Sequence, residues 1–154
     1  MKYKYQKLHT QDSVKYQRLM SLFADVFDDR TSYQSSTPSK EYISSFLDDD
    51  SHIVLVALTE DDVVIGGLVA YELQKFEQER RELYIYDLAV AVAHQRQHVG
   101  TGLIDTLKQI AQERGAHVIF VQADEEDLGA ISFYRTFCTK ETKGSIFEIK
   151  VESK

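Results

Sequence analysis

Three groups of residues in this 154-residue chain carry types and spacings that could do chemistry. Asp87 is the one charged side chain in the apolar run LYIYDLAV (83–90). A carboxylate there costs free energy unless it is paired or put to use, so it is either satisfied by a neighbouring hydroxyl or backbone group or it works on a ligand. The second group is HQRQHVGTG (94–102). Its His94 and His98 have the four-residue spacing of a helical metal pair, yet Gln95 stands where zinc hydrolases carry a catalytic Glu. His9, His52 and His117 have no ligand-like neighbourhood, so no metal is expected. The context suits a phosphate cradle instead: a strand ends at Val90, a short loop follows, and a helix starts near Val99. Helix starts offer unpaired N–H donors and a positive dipole end. Gly100 and Gly102 would let phosphates near the backbone, and Arg96 and His98 could add charge. The third group is the acidic run Asp124, Glu125, Glu126 and Asp127, which suits a ligand bearing several ammonium groups or is a solvated turn.

The elements that must position these residues follow from periodicity. KYQKL reads as a short strand, and Thr10 to Phe27 as a helix with Leu19, Leu22, Phe23, Val26 and Phe27 at helical spacing. DDRTSYQSSTPSK is a polar, lid-like loop, with Pro38 in the first turn of a second helix, SKEYISSFL. HIVLVALT, the turn EDD and VVIGGLVAYEL form a hairpin, in which Gly66 and Gly67 mark a bulge or a close backbone approach. LYIYDLAV and HVIFVQAD read as buried strands. Between them lies a helix, Val99 to Arg114, with Leu103, Ile104, Leu107 and Ile110 facing inward and Gly115 stopping it. LGAISFYRTF is a last helix, and SIFEIKV alternates as an edge or hairpin strand. The sum is an α/β domain, antiparallel first, with a strand–helix–strand unit in its second half, and the whole of 1–154 is one domain.

Composition narrows the partners. Hydrophobic content of 43% and charged content of 28% are those of an ordinary globular chain. Lys and Arg total 18 against 25 acids, and the net charge of −7 disfavours nucleic acid and anionic membranes while favouring a polycationic small molecule. No apolar run approaches the roughly 20 residues a membrane helix needs. A single cysteine, Cys138, and the absence of Asn fit a reducing compartment, so a cytoplasmic protein is expected.

Several strings taken together resemble a known family. The loop at 95–102 resembles the acetyl-CoA loop of the GCN5-related N-acetyltransferase superfamily. KFEQERRELYIYDLAV, then His94, Arg96 and Gln97, VQAD at 121–124 and the helix containing Tyr134 are similar in order and spacing to class I aminoglycoside 3-N-acetyltransferases, the gentamicin-modifying type. It implies a mixed, largely antiparallel sheet with a splayed parallel strand pair and flanking helices. Acetyl-CoA would be co-substrate, held by backbone groups of Leu88, Ala89 and Val90. The pyrophosphate would lie on Gln95, Arg96, Gln97, His98, Val99, Gly100, Thr101 and Gly102. Aligned from YDLAV, the acetyl-CoA motif falls on Gln95 to Gly100 and puts His98 where the family's first glycine belongs. A literal match lies two residues later, Gln97 to Gly102, and the first register is preferred because the flanking strand and helix then align without a gap. Cys138 likewise stands where a glycine commonly follows the tyrosine-bearing helix.

Within that resemblance Asp87 is the candidate general base and ammonium anchor, and Tyr134 the proton donor to the CoA sulfur and a contact to the cofactor. Glu82, Asp124, Glu125 and Glu126 would bind the cationic aminoglycoside, and a homodimer is implied. Two other readings stay open: acetylation of a different amine, such as a polyamine or protein N-terminus, and a CoA- or drug-binding module with impaired turnover, suggested by His98 and Cys138.

Overall fold

The computed structural model describes residues 2–154. They divide into two compact units, one running to Gln122 and the other Ala123–Lys154. The first unit holds β1 (Lys4–Lys7), α1 (Ser13–Val26), α2 (Arg30–Gln34), α3 (Lys40–Asp48), β2 (His52–Leu58), β3 (Val64–Gln74), β4 (Arg81–Val90), α4 (Val99–Arg114) and β5 (Ala116–Val121). Its five strands form one sheet in chain order. Every neighbouring pair is antiparallel except β4 and β5, which run parallel as the crossover through α4 requires. The expected mixed, largely antiparallel sheet with flanking helices is therefore the architecture found.

β2 explains why the sheet is covered on both faces. Val54, Val56 and Leu58 join Leu19, Leu22 and Phe23 of α1 and Ile43 and Leu47 of α3 in one apolar cluster. Ile53 and Leu55, on the opposite face by strand alternation, are equally buried, and α4 supplies Leu103 and Leu107 to the core. Each of these side chains contributes about 1.5–3 kcal/mol by leaving water. Gly67 makes the α1 contact possible, because a Cβ there would lie 2.5 Å from Leu19 Cδ1 and 2.6 Å from the Leu55 carbonyl oxygen. The expected close approach thus falls on Gly67, while the slip in β2–β3 register falls beside it, where Ala57 pairs Gly66 and Leu58 pairs Val64.

Several sequence expectations need correction. The polar loop after α1 contains a short helix, α2, N-capped by Asp29, whose side chain accepts from the Ser32 N–H. Pro38 lies outside α3, which is capped instead by Ser39 accepting from the Tyr42 N–H. α1 is shorter than read, because Asp12 rather than Thr10 marks its start. β5 is apolar but not buried: it pairs with β4 alone, and Val118 is 39% exposed. β4 is not buried on both faces either, since Tyr86 is 63% exposed.

The second unit contains one helix, α5 (Leu128–Arg135), capped by Asp127 accepting from the Ala130 N–H. SIFEIKV forms no strand, and residues 139–154 follow an irregular path. No helix among the described residues is long and apolar enough to cross a membrane.

Candidate active site

The site is built where β4 loses a neighbour. β4 and β5 stay paired from Arg81 to Ile85, the last partner being Val121. β4 then runs on to Val90 against β3 only. At the parting point the β3 register slips, with Val69 opposite Asp87 but Ala70 opposite Ile85, leaving Tyr86 as an extra residue in a bulge. Beyond it, the Ala91 N–H donates to the Ile65 carbonyl on β3. Since backbone direction alternates along an antiparallel strand, Ala89 also faces β3, whereas Leu88 and Val90 direct their backbone groups to the open edge. Of the three expected backbone contacts, Ala89 is thus turned away. The Gln95 side chain donates to the Val90 carbonyl at 3.0 Å on that edge, closing its far end.

Asp87 begins this open stretch and is half-buried. The Tyr33 hydroxyl donates to its Oδ2 at 2.7 Å. Burial lifts the carboxyl above the ordinary aspartate range, and the Tyr33 hydrogen bond pulls it partly back. Burial, then the bond to Asp87, pushes the Tyr33 hydroxyl up, so Tyr33 remains a neutral donor. Tyr33 sits on α2, in the stretch that reads as a polar loop. Its packing on Phe23 and Phe27, with ring centroids at 5.7 and 5.8 Å, is a tertiary feature without a periodic signal in sequence. Tyr71 and Tyr84 both stand 6.0 Å from the Tyr86 ring, and Tyr84 stacks on Phe120 at 4.6 Å while its hydroxyl donates to Gln122. The aromatic wall beside Asp87 leaves Tyr86 outermost.

The loop from β4 to α4 takes its shape from two left-handed residues, Arg96 at φ 60° and His98 at φ 64°. His98 is the N-cap of α4, without a capping hydrogen bond from its side chain. A glycine would adopt this conformation freely, whereas a side chain on the Cα is strained in it. The first bond of α4 runs from the Gly102 N–H to the His98 carbonyl, so the N–H groups of Val99, Gly100 and Thr101 precede the helical ladder and point outward from its start. Gly102 also has a packing role: a Cβ there would collide with the Tyr5 ring, so its bareness admits β1. Tyr3 fixes the loop from the same side, donating to Gln97 at 2.6 Å and lying 3.1 Å from His94 Nδ1. His94 ends a single turn of 3-10 helix, Val92–His94, and does not share a helical face with His98.

Glu82 lies near the other end of β4, with Lys75 Nζ at 3.6 Å. In the second unit Asp124, Glu125 and Glu126 are exposed, and Asp127 is spent on capping α5. Tyr134, on α5, is half-buried with its ring 5.1 Å from Phe133. Cys138 is exposed, and its backbone is not left-handed, so nothing in its conformation demands a glycine. The first unit thus brings together Asp87, Leu88, Val90, Gln95 and the start of α4, while Tyr134 and the acidic run belong to the second.

A parted strand pair exposing backbone donors, a helix start beyond it and a half-buried carboxylate at the fork can hold an extended thioester cofactor and receive a proton from an amine. Known proteins agree with that geometry. An aminoglycoside acetyltransferase from an uncultured soil metagenomic sample is 42% identical, with a TM-score of 0.94 covering 99% of this chain and all of the other. A second soil-metagenomic aminoglycoside acetyltransferase, solved in complex with sisomicin, is 34% identical with a TM-score of 0.91 over 97% of both chains. A ribosomal-protein-alanine N-acetyltransferase from Brucella melitensis shares the fold at 18% identity and a TM-score of 0.75, over 98% of this chain and all of the other. No curated protein sequence matches the chain. The acetyltransferase (GNAT) family model matches residues 16–138, and the chain belongs to that family.

Proposed function

We propose that the protein acetylates an aminoglycoside amine, the 3-amino group of the deoxystreptamine ring, and so confers resistance in the cytoplasm. The family uses acetyl-CoA as co-substrate. The observation that carries the substrate reading is the likeness, over nearly the whole chain, to an enzyme solved with sisomicin. The net charge of −7 supports a polycationic ligand.

In this reading Leu88 and Val90 hold the thioester arm of acetyl-CoA through the open edge of β4. The first turn of α4, with Arg96 and His98, receives the pyrophosphate. Asp87 anchors the incoming ammonium and takes its proton, directly or through water. The free amine then attacks the thioester carbonyl: the C–N bond forms, the C–S bond breaks, and Tyr134 delivers a proton to the departing thiolate. No acyl-enzyme is formed, and Cys138 takes no part. Asp124, Glu125, Glu126 and Glu82 are the proposed partners of the remaining ammonium groups.

The direct test is acetyl-CoA-dependent thiol release by the purified protein with gentamicin, sisomicin, spermidine, or no amine. Turnover with both aminoglycosides and an NMR-assigned 3-N-acetyl product are expected. Turnover with spermidine alone would replace the substrate. Acetyl-CoA binding without turnover would make the chain a binding module.

A further inference from the structure

Gln97 stands between Arg96 and His98, the two left-handed residues of the loop from β4 to α4, and its side chain is held at both ends. Its Nε2 donates to the Ala93 carbonyl at 3.2 Å, which leaves Oε1 to accept from the Tyr3 hydroxyl at 2.6 Å. A hydroxyl has one proton, so at its other contact, His94 Nδ1 at 3.1 Å, the Tyr3 oxygen accepts. The imidazole therefore carries a proton on Nδ1, and one directed chain runs from His94 through Tyr3 and Gln97 to the Ala93 carbonyl. Tyr3 directly precedes β1, which pairs with β2 at the far end of the sheet from β5. Two residues on, Tyr5 fills the space that Gly102 leaves in the first turn of α4. The start of the chain thus braces both the loop and the helix it leads into. Left-handed conformations at two residues other than glycine are disfavoured locally and persist only where surrounding contacts over-determine them. The bond from Gln95 to the Val90 carbonyl holds one side of the turn, and the Tyr3 bond, between residues 94 apart in the chain, holds the other.

We propose that Tyr3 is a positioning residue for cofactor binding: its hydroxyl holds the loop in the path that presents the N–H groups of Val99, Gly100 and Thr101 to the pyrophosphate of acetyl-CoA. It acts through Gln97 and His94 and not on the reacting atoms. The inference rests on the reading of this loop as the acetyl-CoA cradle, and is independent of which amine is acetylated. A loop that spends less time in the competent shape lowers apparent affinity by that fraction. The chemical step is unchanged once the cofactor is seated, so the hydroxyl belongs to binding and not to turnover.

Calorimetric titration of acetyl-CoA into the full chain, with no amine present, tests this apart from the choice of substrate. Tyr3→Phe keeps the ring and removes both hydrogen bonds. It should weaken acetyl-CoA binding about tenfold, the scale of one or two neutral hydrogen bonds, with the melting temperature little changed. In steady state, with whichever amine turns over, the KM for acetyl-CoA should rise by the same factor while kcat and the KM for the amine stay near those of the parent. Gln97→Leu should also weaken binding, and adding Tyr3→Phe to it should weaken binding no further, because both changes break the same bond. Parental affinity in Tyr3→Phe, additive losses in the double variant, or a fall in kcat with the acetyl-CoA KM unmoved would each overturn the proposal. A parent chain that binds no acetyl-CoA would overturn the cofactor reading beneath it as well.

Discussion

The two halves of β4 have different duties. From Arg81 to Ile85 the strand is paired on both sides, Leu83 is fully buried, and Glu82 lies 3.6 Å from Lys75 Nζ. From Tyr86 to Val90 it keeps one neighbour, bulges, carries a half-buried carboxylate and turns two peptide units toward an open edge. A strand is thus structural while its hydrogen bonds are saturated and becomes a binding surface where one neighbour leaves, because peptide groups without partners must find a ligand or water.

Substitutions in the two halves should therefore fail differently. The largest effect is expected from Asp87→Asn, a loss of about 10²–10⁴-fold in turnover, the usual contribution of a general base. The same change should raise the melting temperature at neutral pH. Burial lifts the folded carboxyl above the ordinary value of 3.8, so above that pH the unfolded chain releases a proton that the folded chain retains. Stability contributed by this site falls as pH rises through that interval, and the Asn variant should lose the dependence. Thiol-release kinetics and melts across pH test both claims, and full turnover in the variant would remove Asp87 from the chemistry.

In the saturated half, Leu83→Ala should cost about 2–5 kcal/mol of stability by leaving a cavity. Its activity per folded molecule should stay near that of the parent, as denaturant titration with an active-fraction assay would show. A selective loss of turnover would erase the division between the halves. Tyr33→Phe is smaller, about tenfold in kcat, the scale of one hydrogen bond to a charged group. Because that bond pulls Asp87 downward, its removal should move the acidic limb of the pH–rate profile to higher pH, and an unmoved limb would make Tyr33 mere packing. Smallest is His98→Gly, expected to add about 1 kcal/mol of stability by relieving a left-handed side chain. It should also tighten acetyl-CoA binding in calorimetry, and unchanged affinity would show that the imidazole does not crowd the cradle.

The parts of the fold legible in sequence were those with long, regular burial: α4, the β2–β3 hairpin and the β4–α4–β5 crossover. β5 was apolar enough to look buried, yet burial depends on what lies beside a strand as well as on its composition. SIFEIKV shows the same limit, since alternation signals the capacity to pair without naming the partner. In the site, Asp87 stood out as a lone charge among apolar neighbours. Tyr33 gave no such sign, because its place depends on packing against Phe23 and Phe27. Gly102 drew a phosphate reading from its spacing, while its close packing against Tyr5 gave no sign in sequence.

The sequence by itself determined the elements, the hydrophobic stripes that order them, and a carboxylate whose burial demanded a reason. All of these follow from local pattern and transfer free energy. Only the tertiary structure decided that β4 and β5 part after Ile85, that the bulge falls at Tyr86, that Leu88 and Val90 rather than Ala89 face the open edge, and that Tyr33 meets Asp87. Those outcomes depend on strand register and on contacts between residues distant in the chain, to which periodicity within a single segment is blind.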